Sequence, residues 1–464
     1  MSALASIDVL AGLWRSAGLD EAALRDISFS GAEPLLPSSF AVGTAAQATI
    51  GAAALAAAAL WRLRSGRRQR VAVDMRAAAI EFRSERYLRV DGKVPDEYHD
   101  AIAGLYRCGD GRWVRLHTNL PHHCSGLLAL LGCEHDRAAV TRALQNWRGE
   151  DLEDAAAAAG LVVTACRSFT EWDAHAQGRA LAQLPPFSIE RIGEAPRQPL
   201  PSAARPLSGV KVLDLTRIIA GPVCGRTLAA HGADVLLVTA NHLPGMLPLI
   251  IDTGRGKLST ALDLRRPDAR DTLAALGRDA DVFVQGYRPG AIPAFGFGPQ
   301  ELAKLRPGIV YVSLCAYGHE GPWAKRRGFD SLVQTASGFN AAEAEAFGDD
   351  EPRALPMQAL DHATGYLLAF AAMAALVRRA ESGGSWHVRC SLAQTGSWLR
   401  GLGRIDGVNC ADPDFSDVRD LMEETPSGFG TLTALRHAAT LSETPPLWAR
   451  PSVPLGTHPP AWPT

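Results

Sequence analysis

The stretch PLSGVKVLDLTRIIAGPVCGRTLAAHGADVLLV, residues 206 to 238, holds two apolar strand-like runs with a helical run between them. VKVLDL and ADVLLV are nearly continuous in apolar residues, the pattern of strands covered on both faces, whereas a strand with one wet face alternates. Gly221-Pro222 opens the intervening helix, because proline is tolerated in a first helical turn, where its missing N–H would go unpaired anyway. The alternation continues through ADVFVQGY and GIVYVSLCAYG, with PDARDTLAALGRD as a further helical run. These units predict an α/β chain with a Rossmann-like parallel-sheet domain and a smaller α+β domain beside it.

No G-x-G-x-x-G follows the first strand, so a dinucleotide cofactor is not indicated. Helix N-termini at the carboxyl edge of a parallel sheet still attract phosphates. Basic side chains stand in the loops nearby: Arg255 and Lys257 in DTGRGKLSTALDL, Arg288 in GYRPG, and the run Lys325, Arg326, Arg327. Singly, each reads as a solvated surface charge; placed after successive strands, together they read as an anion-binding rim.

Outside this region the chain repeats itself. AAALAAAALWRLRSGRRQRVAVDM, 52 to 75, and LLAFAAMAALVRRAESGGSWHVRCSL, 367 to 392, each give an Ala-rich helix, a basic end, Ser-Gly, a polar turn and a strand. Gly66 matches Gly383 and Val71 matches Val388, both offset by 317 positions. The expected organisation is a truncated, degenerate copy of the helix-strand module over 1–83, a smaller domain over 84–200, the Rossmann-like domain over 201–400, and an extended tail over 401–464. The Pro-rich 185–209 reads as the linker before the sheet domain.

The chain has 464 residues, 47% of them apolar and 21% charged, and a net charge of -2. That near-neutral balance gives no general attraction to nucleic acid or anionic lipid. Eight scattered cysteines without a C-x-x-C pair fit a reducing compartment, and the N-terminus lacks the basic and apolar regions of a signal peptide, so the expected location is cytoplasmic. AVGTAAQATIGAAALAAAALW, 41 to 61, is Ala-rich with Thr and Gln, which predicts a buried helix, not a membrane span. His122, His123, Cys124, Cys133 and His135 in PHHCSGLLALLGCEH match no standard zinc spacing, and no metal is expected.

Two acids remain. Asp361, in ALPMQALDHATGYLLAFAAMAAL, precedes a long apolar run and reads first as a helix N-cap. Asp330, in RRGFDSLVQTASGF, lies among small and apolar neighbours able to bury it. No G-x-S-x-G or H-E-x-x-H motif competes with them.

Taken in order, PLSGVKVLDLTRIIAGP, LAAHGADVLLV, RGKLSTALDL, ADVFVQGYRPG, GPWAKRRGFDSLVQTASG and LDHATGYLLAFAAMAALVRRAESG resemble the successive signatures of the class III CoA-transferases, the CaiB/BaiF family. YRCGDGRWV and FTEWDAHAQG resemble its smaller domain more weakly. The resemblance implies the CoA-transferase family III fold and an enzyme that moves CoA between an acyl-CoA and a carboxylic acid through an aspartyl-CoA thioester. No cofactor is then permanently bound, coenzyme A and acyl-CoA are substrates, and the assembly is an interlaced homodimer.

Residue by residue, it places Asp361 on the nucleophile and Asp330 on a second active-site acid. Ile219, Ala220, Gly254, Arg255, Gly256, Lys257, Gly286, Tyr287 and Arg327 fall on CoA-contacting positions, with Arg288 on the same rim. In the racemase branch a histidine precedes the position of Asp330; here it is Phe329. The alternatives are a racemase or isomerase of the same family, and a non-catalytic CoA-binding subunit, the latter because the copies are permuted and the first has Thr44 and Ala45 where the second has Asp361.

Overall fold

The computed structural model describes residues 4–96 and 99–463. Its main sheet has seven strands in the order Lys257–Ala261, Asp234–Thr239, Lys211–Leu215, Val282–Gln285, Val310–Cys315, Ser385–Ser391, Phe187–Gly193. The first six are parallel and the last is antiparallel. Every residue of Val282–Gln285 and Val310–Cys315 is buried, as their unbroken apolar runs require. The strand order reverses at Lys211–Leu215, whose neighbours are Asp234–Thr239 on one side and Val282–Gln285 on the other. Loops leaving the carboxyl ends of the strands diverge at that point and open a crevice.

Two segments depart from the sequence reading. The linker over 185–209 contains the edge strand Phe187–Gly193, which pairs with Ser385–Ser391. The tail is more than extended chain: Met422–Ser427 and Gly430–Leu435 form a hairpin joined by Arg89–Val90, and Ala439–Leu441 adds a third strand to a second sheet. Beyond these, His458 donates its backbone N–H to Ser259 O at 2.7 Å and Gly456 donates to Ser259 Oγ at 3.0 Å. The tail thereby covers the outer edge of Lys257–Ala261, whose N–H and C=O groups would otherwise invite another chain.

The repeated module is physically present twice. Helices Val42–Ser65 and Ala359–Ser382 have the same length, each ends at a positive-φ glycine (Gly66, φ 71°; Gly383, φ 70°), and they pack on each other in one continuous core. Both are long and apolar enough to cross a membrane, yet the most apolar stretch of each lies buried inside the protein, nearly all of it in the first and all of it in the second. Around the first, Ile27–Ser30 and Val71–Asp74 pair in parallel and Ala439–Leu441 adds an antiparallel strand. Around the second, Val310–Cys315 and Ser385–Ser391 pair in parallel and Phe187–Gly193 adds the antiparallel one. Each half therefore receives its last strand from the other half's chain end.

The smaller unit has an antiparallel sheet of Gly104–Arg107, Trp113–Leu116 and Val163–Ala165. Helices Pro121–Leu131, Arg137–Leu144 and Gly149–Ala158 accompany it, and Tyr106, Val114, Leu127, Leu144 and Leu152 give it a core of its own. It contacts the sheet domain through Arg115, whose Nε donates to Thr335 Oγ1 at 3.0 Å.

Candidate active site

A cavity of about 480 Å³ opens at the reversal of strand order, between the sheet's carboxyl edge and the smaller unit. Arg217 and Ile218 follow the central strand, Gly286, Tyr287 and Arg288 follow Val282–Gln285, and Leu314 to Ala316 end Val310–Cys315; all line it. Leu120, His122 and His123 reach it from the opposite wall, and Asp361 faces it from the start of its helix. Ile218 holds φ at 74°, a conformation that a β-branched residue adopts only under constraint, and it does so at the cavity wall.

The helix cap is not where the sequence placed it. Gln358 is the N-cap residue and makes no side-chain cap bond, while Asp361 is the third helical residue. The capping group comes from across the fold: Asp361 donates its backbone N–H to Asp330 Oδ2 at 2.8 Å. Asp330 is held in turn by the Gln334 amide, whose other end accepts from Leu355 N at 2.9 Å. With the cap supplied by Asp330, the Asp361 carboxylate is free of that task. It is 7% exposed and receives no hydrogen bond among the described residues.

Both acids sit above their ordinary carboxyl range. Burial pushes Asp330 up to about 6, against the lowering effect of the Asp361 and Leu360 N–H groups and Gln334. Asp361 is raised well above the usual value, by burial first and then by the negative charges of Asp330 and Glu85. Glu85 lies on the first half of the chain and is fixed by His362 Nε2 at 3.1 Å. The N-terminal helix dipole favours the ionised form, but burial and like charges outweigh it.

The basic rim divides. Arg288 and Arg327 line the cavity, and Arg326 and Arg327 continue with Lys325 into an adjoining pocket of about 260 Å³ beside Gly160 and Thr164. Burial and the nearby Arg288 cation lower the Arg327 guanidinium from its usual value. Tyr287, Gly286 and Ala220 also reach the cavity, whereas Ile219 is the buried N-cap of helix Ala220–Ala230 and does not line it.

Arg255 and Lys257 are placed differently from the sequence expectation. Lys257 is 2% exposed, with Nζ 2.8 Å from both Asp214 Oδ2 and Pro222 O. Arg255 is buried against Asp252, donates to Leu435 O at 2.7 Å, and lies 4.0 Å from the Trp448 ring centre. Gly254 packs on Ser452, and Gly256 at φ 82° lies under Trp448, so the tail covers this whole loop. None of the four lines the cavity; the tail segment around Trp448 packs on this loop instead.

The structure adds groups that the sequence reading did not assign. Arg217 lines the cavity and donates to Pro244 O, in the loop after Asp234–Thr239 where the sequence has no arginine of its own. His122 and His123, weighed above only as metal ligands, line the cavity, while Cys124 and His135 turn toward Asp100 instead. Phe329 also lines it, stacked on His117 at 4.0 Å between ring centres. Only the fold could join residues from 120–123 to residues from 217 and 361.

The site is thus a crevice at the edge of an α/β sheet, rimmed by arginines and facing an aspartate in the first turn of a helix whose carboxylate accepts no hydrogen bond among the described residues. A sequence model of CoA-transferase family III matches residues 27–183 and 207–403, and the chain belongs to that family. The acetyl-coenzyme A transferase nodX of Hypoxylon pulicicidum is 40% identical over 210 residues, covering 44% of this chain and 35% of the relative. The human succinyl-CoA:glutarate CoA-transferase is 32% identical over 200 residues, 40% of this chain and 45% of the relative. A crystal structure of Rv3272 from M. tuberculosis aligns at 33% identity and a TM-score of 0.40, over 43% of this chain and 56% of that one. The chain spans between about a third and a half of the length of these curated relatives.

Proposed function

We propose that this chain transfers CoA between an acyl-CoA and a carboxylic acid, with Asp361 as the nucleophile. The observation that carries the reading is the division of labour between the two acids: Asp330 caps the helix, and the Asp361 carboxylate faces the cavity without a donor among the described residues. The names of the relatives, an acetyl-coenzyme A transferase and a succinyl-CoA:glutarate CoA-transferase, support the same chemistry.

In the proposed cycle an Asp361 Oδ attacks the thioester carbonyl of the donor. The C–S bond breaks, CoA leaves as thiolate, and a mixed anhydride joins the acyl group to Asp361. The thiolate then attacks the Asp361 carbonyl; the donor acid leaves as carboxylate and an aspartyl-CoA thioester remains. The acceptor carboxylate attacks that thioester, and the returning thiolate attacks the acceptor's carbonyl, giving the new acyl-CoA and free Asp361. Thioester energy is kept throughout. The like charges of Asp330 and Glu85 that raise Asp361 make its carboxylate a stronger base, and that repulsion falls once its charge is lost to the anhydride.

Arg288 and Arg327 are proposed to hold the CoA phosphates, with Ala220, Gly286 and Tyr287 along the thioester arm; for Ile219 a contact through the helix start is proposed. Asp330 is a positioning residue. No cofactor need stay bound, and a cytoplasmic, interlaced homodimer is part of the same reading. Proton transfer at an α-carbon is disfavoured: Phe329 has no acid-base group, and burial lowers its neighbours His117 and His123 to about 4 and about 3, too low for an effective base near neutral pH.

The test is to incubate the protein with an acyl-CoA and quench with hydroxylamine or borohydride. A modified Asp361 in the peptide mass spectrum is expected. Full CoA exchange by Asp361→Ala overturns the reading, and so does deuterium incorporation at the substrate α-carbon without exchange.

A further inference from the structure

His123 is 3% exposed, lines the same cavity as Asp361, and has no hydrogen-bond partner on either ring nitrogen among the described residues. An imidazole in that state is uncommon, because each buried polar atom left unpaired sacrifices the hydrogen bonds it would have in water. Its surroundings keep it neutral: burial first, then His122, His117, Arg327 and Arg217, lower it to about 3. It also stands in the first turn of helix Pro121–Leu131, whose positive end disfavours imidazolium. A neutral imidazole offers one N–H donor and one acceptor nitrogen. Two apolar groups stand beside it, Phe329, which meets His123 edge-on at 6.2 Å between ring centres, and Leu120, while His122, Arg217 and Arg327 also line the cavity.

We infer that His123 is a specificity-determining residue, donating a hydrogen bond from its ring to an oxygen carried on the acyl chain beyond the thioester carbon. This rests on the proposed function, and it narrows the substrate class to acyl groups bearing a hydroxyl, keto or second carboxyl oxygen. A plain hydrocarbon acyl chain leaves the ring nitrogen buried and unpaired, and a site built to donate a hydrogen bond rejects the analogue that lacks the acceptor. The donor is a neutral ring N–H, so a charged and a neutral oxygen substituent both satisfy it. Comparing the two tells whether the arginines add to the selection.

The experiment measures binding of butyryl-CoA, 3-hydroxybutyryl-CoA and succinyl-CoA to the full chain by calorimetry. At least about tenfold tighter binding of the two oxygen-bearing thioesters than of butyryl-CoA is expected. His123→Phe is expected to erase that ratio, and His123→Gln, which keeps a donor, to restore part of it. Equal affinities in the unaltered protein overturn the inference even where the phenylalanine variant does not fold; so does a ratio that survives His123→Phe. If the protein binds no CoA thioester at all, the proposed function falls with it. If it forms the Asp361 adduct yet shows no ratio, this inference alone falls.

Discussion

The two copies of the helix-strand module differ at one position that matters. In the second copy Asp361 gives its backbone N–H to Asp330 at 2.8 Å. In the first, the position 317 earlier is Thr44, whose N–H goes to Glu33 Oε1, also at 2.8 Å. Both helices are therefore capped by a carboxylate from an earlier segment, Asp330 at the start of a short helix and Glu33 in a loop, and burial raises both acids. The first half keeps the capped helix and has no acid at the position of Asp361, the proposed nucleophile. The cap and the nucleophile are separable parts, and capping alone is a structural task.

The strongest way to break this comparison is to remove each half's side chain at the matched position. Asp361→Ala is expected to lower CoA exchange by at least about 10⁴-fold, the scale seen when a nucleophile is deleted, while Thr44→Ala leaves exchange within about twofold. Equal loss from both would show that the first copy takes part in the chemistry. Next in size is the cap. Asp330→Asn is expected to lower kcat by roughly 10- to 100-fold, more than it changes KM for acyl-CoA, because it misplaces Asp361. It also removes a negative charge that holds Asp361 above its usual range. Asp361 must be ionised to attack, so the acid limb of the kcat/KM profile moves to lower pH in that variant.

The rim sharpens the comparison at smaller effect. Arg327→Ala is expected to raise KM for acyl-CoA by about tenfold through loss of a phosphate partner. Arg255→Ala should leave that KM unchanged and lower the melting midpoint, since Arg255 serves Asp252 and Trp448 and not the cavity. The smallest effect is thermodynamic. A carboxyl whose folded pKa exceeds its unfolded one binds protons more tightly in the folded state, so stability falls as pH rises from the ordinary value through the raised one. For Asp330 that window runs from the ordinary 3.8 to about 6. Asp361→Asn at pH 7 should therefore raise the melting midpoint by about 2 °C while abolishing exchange, and Glu33→Gln should raise it with exchange intact.

Much of the architecture was legible because its signals are local. The unbroken apolar runs at 211–215, 234–239, 282–285 and 310–315 mark covered strands without knowledge of their neighbours. The repeat was legible because a glycine, Gly66 or Gly383, follows each Ala-rich helix at the same offset. What stayed hidden depends on contacts between distant segments. Asp361 reads as its own cap until Asp330 is seen to do that work, and Arg255 reads as a free cation until Trp448 is folded over it. His123 sat in plain view within PHHC, but its neighbours in sequence pointed to metal chemistry, and only the cavity gave it another meaning.

The exchanged end strands carry a consequence for synthesis. Val71–Asp74 waits for Ala439–Leu441, and the Val42–Ser65 helix waits for Ala359–Ser382 to cover it. At ribosomal speeds of about 5–20 residues per second, that apolar helix stays without its partner for on the order of 15–70 s. During that time it is among the most aggregation-prone surfaces of the nascent chain. The yield of folded protein should therefore depend on translation rate more than its finished stability suggests.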